Sequence, residues 1–160
     1  MEVIRAIETW QQAGAYYVRI QAMAKKHHIT LRQEFDDHDG PDTKYIVITD
    51  ADFPIATARM YRLDAERMMI GRVVVLPEYR HQGIGTLTVR ECEKWASELG
   101  CTTAVLESRD NKTAFYEQMD MPSAGKKAKV IPSARCGWKR QSEDQRMAAS
   151  VFHLRRNVVK

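Results

Sequence analysis

The run Val73-Val74-Val75-Leu76-Pro77-Glu78-Tyr79-Arg80-His81-Gln82-Gly83-Ile84-Gly85-Thr86 constrains this chain more than any other stretch. A strand leaves at Val75, a short turn follows, and a glycine-bearing loop opens a helix. That helix is marked by Ile84, Leu87, Cys92, Trp95 and Leu99 near one face, and it stops at Gly100. Glycines at 83 and 85 remove side chains where the backbone must come close to another group. Successive N–H groups at a helix N-terminus, with the helix dipole behind them, suit a phosphate or pyrophosphate. Arg80 adds a cation beside that nest. Alone, Gly-x-Gly fits a tight turn relieved of strain equally well, because short glycine motifs are weak signals.

Two better-known phosphate motifs are excluded. No Gly-x-x-x-x-Gly-Lys-Ser/Thr occurs anywhere. The dinucleotide fingerprint would need its third glycine at position 88, which is Thr88, and no acidic residue closes a second strand about 20 residues on.

The surrounding chain supplies a mixed scaffold. From Ile4 to about Ile29, Ile7, Trp10, Tyr17, Ile20 and Ala24 recur at helical spacing, which predicts one long amphipathic helix or two short ones. Asp36 to Asp42 is a turn cluster, read as an exposed acidic face and not as an EF-hand, because Gly40 is mis-spaced and no Glu closes the loop. Lys44–Thr49, Ile55–Leu63 and Arg67–Leu76 predict three antiparallel strands in a meander. Thr102–Leu106 is a further short strand, and Asp110 or Asn111 can cap a helix to about Gln118. The helix between strands 67–76 and 102–106 is a crossover, which demands parallel pairing of the two. Segments 128–131, 133–139 and 150–155 are candidate late strands. The fold class is therefore α/β of the α+β kind, a mixed sandwich in a single domain spanning 1–160.

Several functional classes fall away on composition. No apolar run approaches the roughly 18–20 residues needed to span a bilayer as a helix. Met1-Glu2-Val3-Ile4-Arg5 lacks the basic and apolar regions of a secretory signal. Cys92, Cys101 and Cys136 are odd in number and sit at no metal-ligand spacing, so a reducing, cytoplasmic setting without a disulfide framework or zinc is expected. His27 and His28 are adjacent and cannot share a ligand face. Charge is uneven: residues 1–121 balance at −4, and residues 122–160 at +8. A basic extension can serve an acidic partner, but no aromatics are stepped among its cations as a nucleic-acid stacking platform requires.

The pattern Val73-x-Val75-x-Pro77-x-x-Arg80-x-x-Gly83-x-Gly85 resembles the acyl-CoA binding motif of the GNAT superfamily of N-acetyltransferases. Ala114-Phe115-Tyr116-Glu117 resembles the Phe-Tyr-Glu that ends that family's second CoA-contacting helix. More loosely, Glu34 to Asp39 and His153-Leu154-Arg155 resemble a small, poorly characterised bacterial branch. The resemblance implies a mostly antiparallel central sheet with helices on both faces and a βαβ acyl-CoA unit. It implies acetyl-CoA as cosubstrate, CoA as product and an amine as acceptor, attacked in a ternary complex. It also implies roles: Val73, Val74 and Val75 beside the pantetheine arm, Arg80, His81, Gln82, Gly83, Ile84, Gly85 and Thr86 around the pyrophosphate, and Tyr116 as the acid serving the thiolate. A homodimer using part of residues 122–160 is a further implication.

The chain departs from the family at defined points. The family's Asn and Ala, seven and four residues before the tyrosine, are Arg109 and Lys112 here, and Asn111 stands nearby as a substitute CoA contact. The glutamate that commonly acts as base, four residues before the first valine, is Met69, and neither Glu66 nor Glu107 is in register. The base is unassigned. A non-catalytic CoA-binding module is the rival expectation.

Overall fold

A computed structural model describes residues 1–109 and 147–153. In chain order the elements are β1 (Glu2–Ala6), α1 (Thr9–Arg19), a π-helical continuation (Ile20–Lys25), α2 (Leu31–Glu34), β2 (Lys44–Asp50), β3 (Phe53–Arg62), β4 (Arg67–Val75), a 3₁₀ turn (Pro77–Tyr79), α3 (Ile84–Glu98), β5 (Thr103–Arg109) and β6 (Met147–His153). The strands form one mixed sheet in the order β1-β2-β3-β4-β5-β6. Pairing is antiparallel for β1 with β2, β2 with β3, and β5 with β6. The carbonyl of Glu66 accepts from both Thr102 N and Thr103 N at 2.8 and 3.1 Å, so β4 and β5 begin side by side. A strand–helix–strand crossover requires that arrangement.

By contact density the chain divides into Met1–Tyr61 with Ile70–Cys92, and Arg62–Met69 with Glu93–Lys160. In the first unit the period-2 alternation of β2 sends successive residues to opposite faces. Tyr45 and Val47 pack with Ile4, Ala6 and Ala15 of α1, whereas Ile48 packs with Ile55, Ala56 and Ile84 of α3. Helices therefore cover both faces of this part of the sheet. On the α3 side, Arg5 donates to Glu91 at 2.7 and 2.9 Å. In the second unit, Arg62 holds the end of α3 by donating to the Leu99 carbonyl and to Cys101 Sγ.

The first predicted helix is corrected at its start. Ile4 and Ala6 are the inward residues of an edge strand paired with β2, and the helix opens only at Thr9. Glu8 and Gln11 form a reciprocal capping box there. Ile4 and Ile7 satisfy a helical spacing by coincidence, because strand pairing supplies the backbone partners that decide the matter. The helix then widens to π geometry over Ile20–Lys25 and ends at His28, whose φ is +52°.

The late strand shifts from 150–155 to Met147–His153, with Val105 opposite Val151. The predicted helix from Asp110 or Asn111 and the strands at 128–131 and 133–139 lie outside the described residues. Among the described residues no helix is long and apolar enough to cross a membrane.

The acidic turn is the larger correction. Glu34 is 2% exposed and Arg19 and Arg59 are 0% and 1% exposed, so the stretch is in good part an internal ion network. Arg19 donates to Glu34 at 2.8 Å and also to Asp39. Arg59 donates to Asp36 at 2.7 Å and to Asp39 at 2.9 Å, and Tyr45 Oη donates to Asp39 at 2.6 Å. Only Asp37 and Asp42 of these carboxylates face solvent freely.

Candidate functional site

The three valines at the end of β4 resume a regular in-and-out pattern. Val74 is buried with Val18, Ala22 and Leu76, under the α1 side. Val73 and Val75 are half-buried and point the other way, Val75 against the cluster holding Ile84. The strand stops because Pro77 brings no N–H, and Leu76 N makes its last sheet-like bond to the Ile55 carbonyl at 2.9 Å. Pro77–Tyr79 then turn as a 3₁₀ helix, closed by Arg80 N donating to the Pro77 carbonyl at 3.3 Å.

Arg80 has a second task. Its Nε donates to the Val75 carbonyl at 3.0 Å, pinning the loop back onto the strand end. The sequence suggests Arg80 as a cation beside a nest; what the structure shows is a strut between the loop and the strand end. Gln82 Nε2 donates to the Glu78 carbonyl at 3.3 Å and closes the loop from outside.

His81 and Gly83 have φ of +62° and +76°, and both are exposed. Left-handed residues within a turn are a feature of backbone nests, in which successive N–H groups converge on an anion. A Cβ at Gly83 would meet nothing within 4 Å. Gly83 is thus required for its conformation, and the space before it is open. Gly85 lies in the first turn of α3 with Ile84 and Thr86, in ordinary helical conformation.

The helical ladder of α3 engages with Leu87 N donating to the Gly83 carbonyl at 3.0 Å. The N–H groups before it, at the start of a 15-residue helix, carry the positive end of its dipole. Thr88, buried, turns its hydroxyl inward to the Ile84 carbonyl at 2.8 Å and steadies that first turn. The loop therefore joins a positive helix end to open space at Gly83.

Other predicted residues fall differently. Met69 is 6% exposed, an apolar side chain in the core where the base would stand. Cys92 and Cys101 are buried and unbridged. Asn111 and Tyr116 lie outside the described residues.

Sequence reasoning missed the neighbours of Val73. Arg72 has φ of +51° in the interior of β4, and its guanidinium reaches Asp36 at 3.1 Å and Glu34 at 3.5 Å. Burial raises a carboxyl pKa, but the bonds and charges of Arg59 and the charge of Arg72 outweigh it, so Asp36 is held below the usual carboxylate range. Asp39 is pushed down further by Arg19, Tyr45 and Arg59 against the same burial. A separate apolar groove, lined by Trp10, Gly14, Tyr17, Phe53 and Pro54, shares no residue with the Arg80–Thr86 loop.

Comparison with known proteins agrees with this geometry. The family model for the acetyltransferase (GNAT) family matches residues 4–121. The uncharacterized N-acetyltransferase YjcF of Bacillus subtilis is 25% identical over 118 residues, covering 74% of this chain and 83% of that protein. Among solved structures, Escherichia coli ElaA superposes with a TM-score of 0.72 at 16% identity, over 95% of this chain and 99% of that one. A GNAT family acetyltransferase from Elizabethkingia anophelis with acetyl-CoA bound superposes with a TM-score of 0.67 at 14% identity, over 96% and 97% of the two chains.

Proposed function

Because the chain belongs to the GNAT family of acetyltransferases, we propose that it transfers an acetyl group from acetyl-CoA to an amine acceptor by direct attack in a ternary complex. The observation that carries the reading is the loop itself. Gly83 is left-handed with open space before it, at the N-terminus of α3, and Arg80 ties the loop to the strand end at Val75. A nest of N–H groups fixes the pyrophosphate, and the half-buried strand edge Val73–Val75 runs beside the pantetheine arm.

Acetyl-CoA supplies an activated thioester, and the residues of the chain do the rest. Backbone N–H groups around Val75 polarise the thioester carbonyl, lowering the energy of the charge that develops on its oxygen. The amine nitrogen bonds to the carbonyl carbon, the carbon–sulfur bond breaks, and Tyr116 delivers a proton to the departing sulfur. Met69 cannot accept a proton, so the amine attacks in its neutral form or loses its proton to water. The enzyme acts in the cytoplasm on a small-molecule or peptide amine, as a single domain.

Met69 also favours a second reading, a CoA-binding module that kept the nest and lost the base. Release of free CoA thiol from acetyl-CoA, followed across a panel of amines, separates the two. Amine-dependent release supports the transferase. Tight binding of acetyl-CoA with no release above the blank for any amine supports the module and overturns transfer.

A further inference from the structure

Arg72 is the one non-glycine residue within β4 with a positive φ among the described residues. A β-region strand has no use for that conformation, and a side chain bearing Cβ keeps it only where the surroundings over-determine it. Here the surroundings are ionic. Arg72 Nη2 donates to Asp36 Oδ2 at 3.1 Å, and its Nε lies 3.5 Å from Glu34 Oε1. Each of those carboxylates is itself fixed by a second guanidinium, Glu34 by Arg19 of α1 and Asp36 by Arg59 of β3.

The consequence shows in the strand. Met68, Met69, Ile70 and Gly71 are all buried, without alternation, and the in-and-out pattern resumes only past Arg72. A left-handed residue in a strand redirects the backbone after it, as bulges do where a strand must re-aim its groups. The residues re-aimed here are Val73, Val74 and Val75.

We propose that Arg72, clamped by Asp36 and Glu34, is a positioning residue that sets the direction of Val73–Val75 toward the pantetheine arm and thioester. The inference rests on the reading that these valines bind acetyl-CoA. It assigns the two acids a structural-electrostatic task. They are not the missing base: Asp36 is already committed to two guanidinium groups, and Glu34 is sealed from solvent between Arg19 and Arg72.

The test compares two ligands by calorimetry: acetyl-CoA, and adenosine 3′-phosphate 5′-diphosphate, which carries the pyrophosphate without the pantetheine arm. The variants are Asp36→Asn, Arg72→Gly and Arg72→Lys, with Glu91→Gln as a control that breaks the Arg5 ion pair on the other side of the sheet. Glycine takes a positive φ freely, so Arg72→Gly removes the clamp without adding strain. Arg72→Lys and Asp36→Asn decide the matter if the glycine variant does not fold.

The expected result is about a tenfold or greater loss of acetyl-CoA affinity in Asp36→Asn and Arg72→Gly, with smaller loss in Arg72→Lys and the fragment bound as by wild type. Wild-type acetyl-CoA affinity in the folded variants overturns the inference and leaves the cofactor reading intact. Equal loss for both ligands, or the same loss in Glu91→Gln, also overturns it, because a general structural defect would do that. Failure of the wild type itself to bind acetyl-CoA overturns the cofactor reading and this inference together.

Discussion

Gly83 and Gly100 make a matched pair at the two ends of α3. Their φ values are +76° and +85°, and a Cβ at either would meet nothing within 4 Å. Alanine at each position therefore adds no clash. It forces an L side chain into the left-handed region, at a cost on the order of 1 kcal/mol. For a chain of 160 residues that shifts Tm by about 2–4 °C, and Gly83→Ala and Gly100→Ala should lose it equally. The ligand separates them. Acetyl-CoA at about 100 times its Kd stabilises the native state by roughly 2.7 kcal/mol. Gly100→Ala should keep that gain in full. Gly83→Ala places a methyl in the open space before the nest, where the ligand would have to approach. A tenfold weaker affinity at the same ligand concentration leaves about 1.4 kcal/mol, close to half the rise in Tm. Melting curves with and without acetyl-CoA read both quantities. Equal ligand-induced shifts in the two variants would refute the nest, whatever the size of the shifts.

Four further expectations follow. Arg80→Ala removes the bond from Arg80 Nε to the Val75 carbonyl, so it should destabilise by about 0.5–1.5 kcal/mol in urea unfolding and weaken acetyl-CoA binding as the loop leaves the strand. Asp39→Asn leaves the fully buried Arg19 short of a counter-charge, and it should cost roughly 3–5 kcal/mol by the same measurement. The pH sign follows from folded pKa values held below the ordinary ones at Asp36 and Asp39. Their contribution is complete above about pH 4, the unfolded value, and is lost as pH falls through the folded values. An acid titration of wild type against Asp39→Asn should show a shallower decline in the variant; identical slopes would contradict the assignment. Tyr116→Phe should lower turnover by roughly 10²–10⁴ with acetyl-CoA affinity little changed, and equal turnover would make Tyr116 a packing residue.

What the sequence made legible was what local chemistry decides. Lys44–Asp50 is a strand because the unbroken run Tyr45–Thr49, rich in β-branched residues, is buried between helices on both faces. The helix α3 shows itself by the spacing of Ile84, Cys92, Trp95 and Leu99 and by Gly100 at its end, although Leu87, read onto the same face, is 42% exposed. Gly83 was readable because its residue type matches its backbone. Ile4 was misread because a five-residue edge strand carries too few positions for periods of 2 and 3.6 to differ. The ion network was hidden for another reason. Arg59 meets Asp36 across 23 residues, and Arg72 meets it across 36. A run of acids looks the same in sequence whether its counter-ions are solvent cations or arginines brought in by tertiary packing. Arg72 was least legible of all, because nothing in an arginine announces a left-handed backbone.

That network is a poor device for stability. Taking charges out of water costs several kcal/mol per ion before any attraction is counted, and Arg59 Nε is buried with no hydrogen-bond acceptor among the described residues. Three guanidinium groups facing Glu34, Asp36 and Asp39 only balance in formal charge. Well-packed apolar side chains of similar volume would hold these elements together at least as firmly. What apolar packing lacks is direction. A hydrophobic contact tolerates small rotations, whereas a guanidinium held by carboxylates on two sides is fixed in plane and angle. At Arg72, which donates to Asp36 at 3.1 Å and pairs with Glu34 at 3.5 Å, that hold falls on the residue whose backbone departs from the strand, immediately before the valines proposed to run beside the pantetheine arm. The electrostatic cost is thus borne where orientation matters.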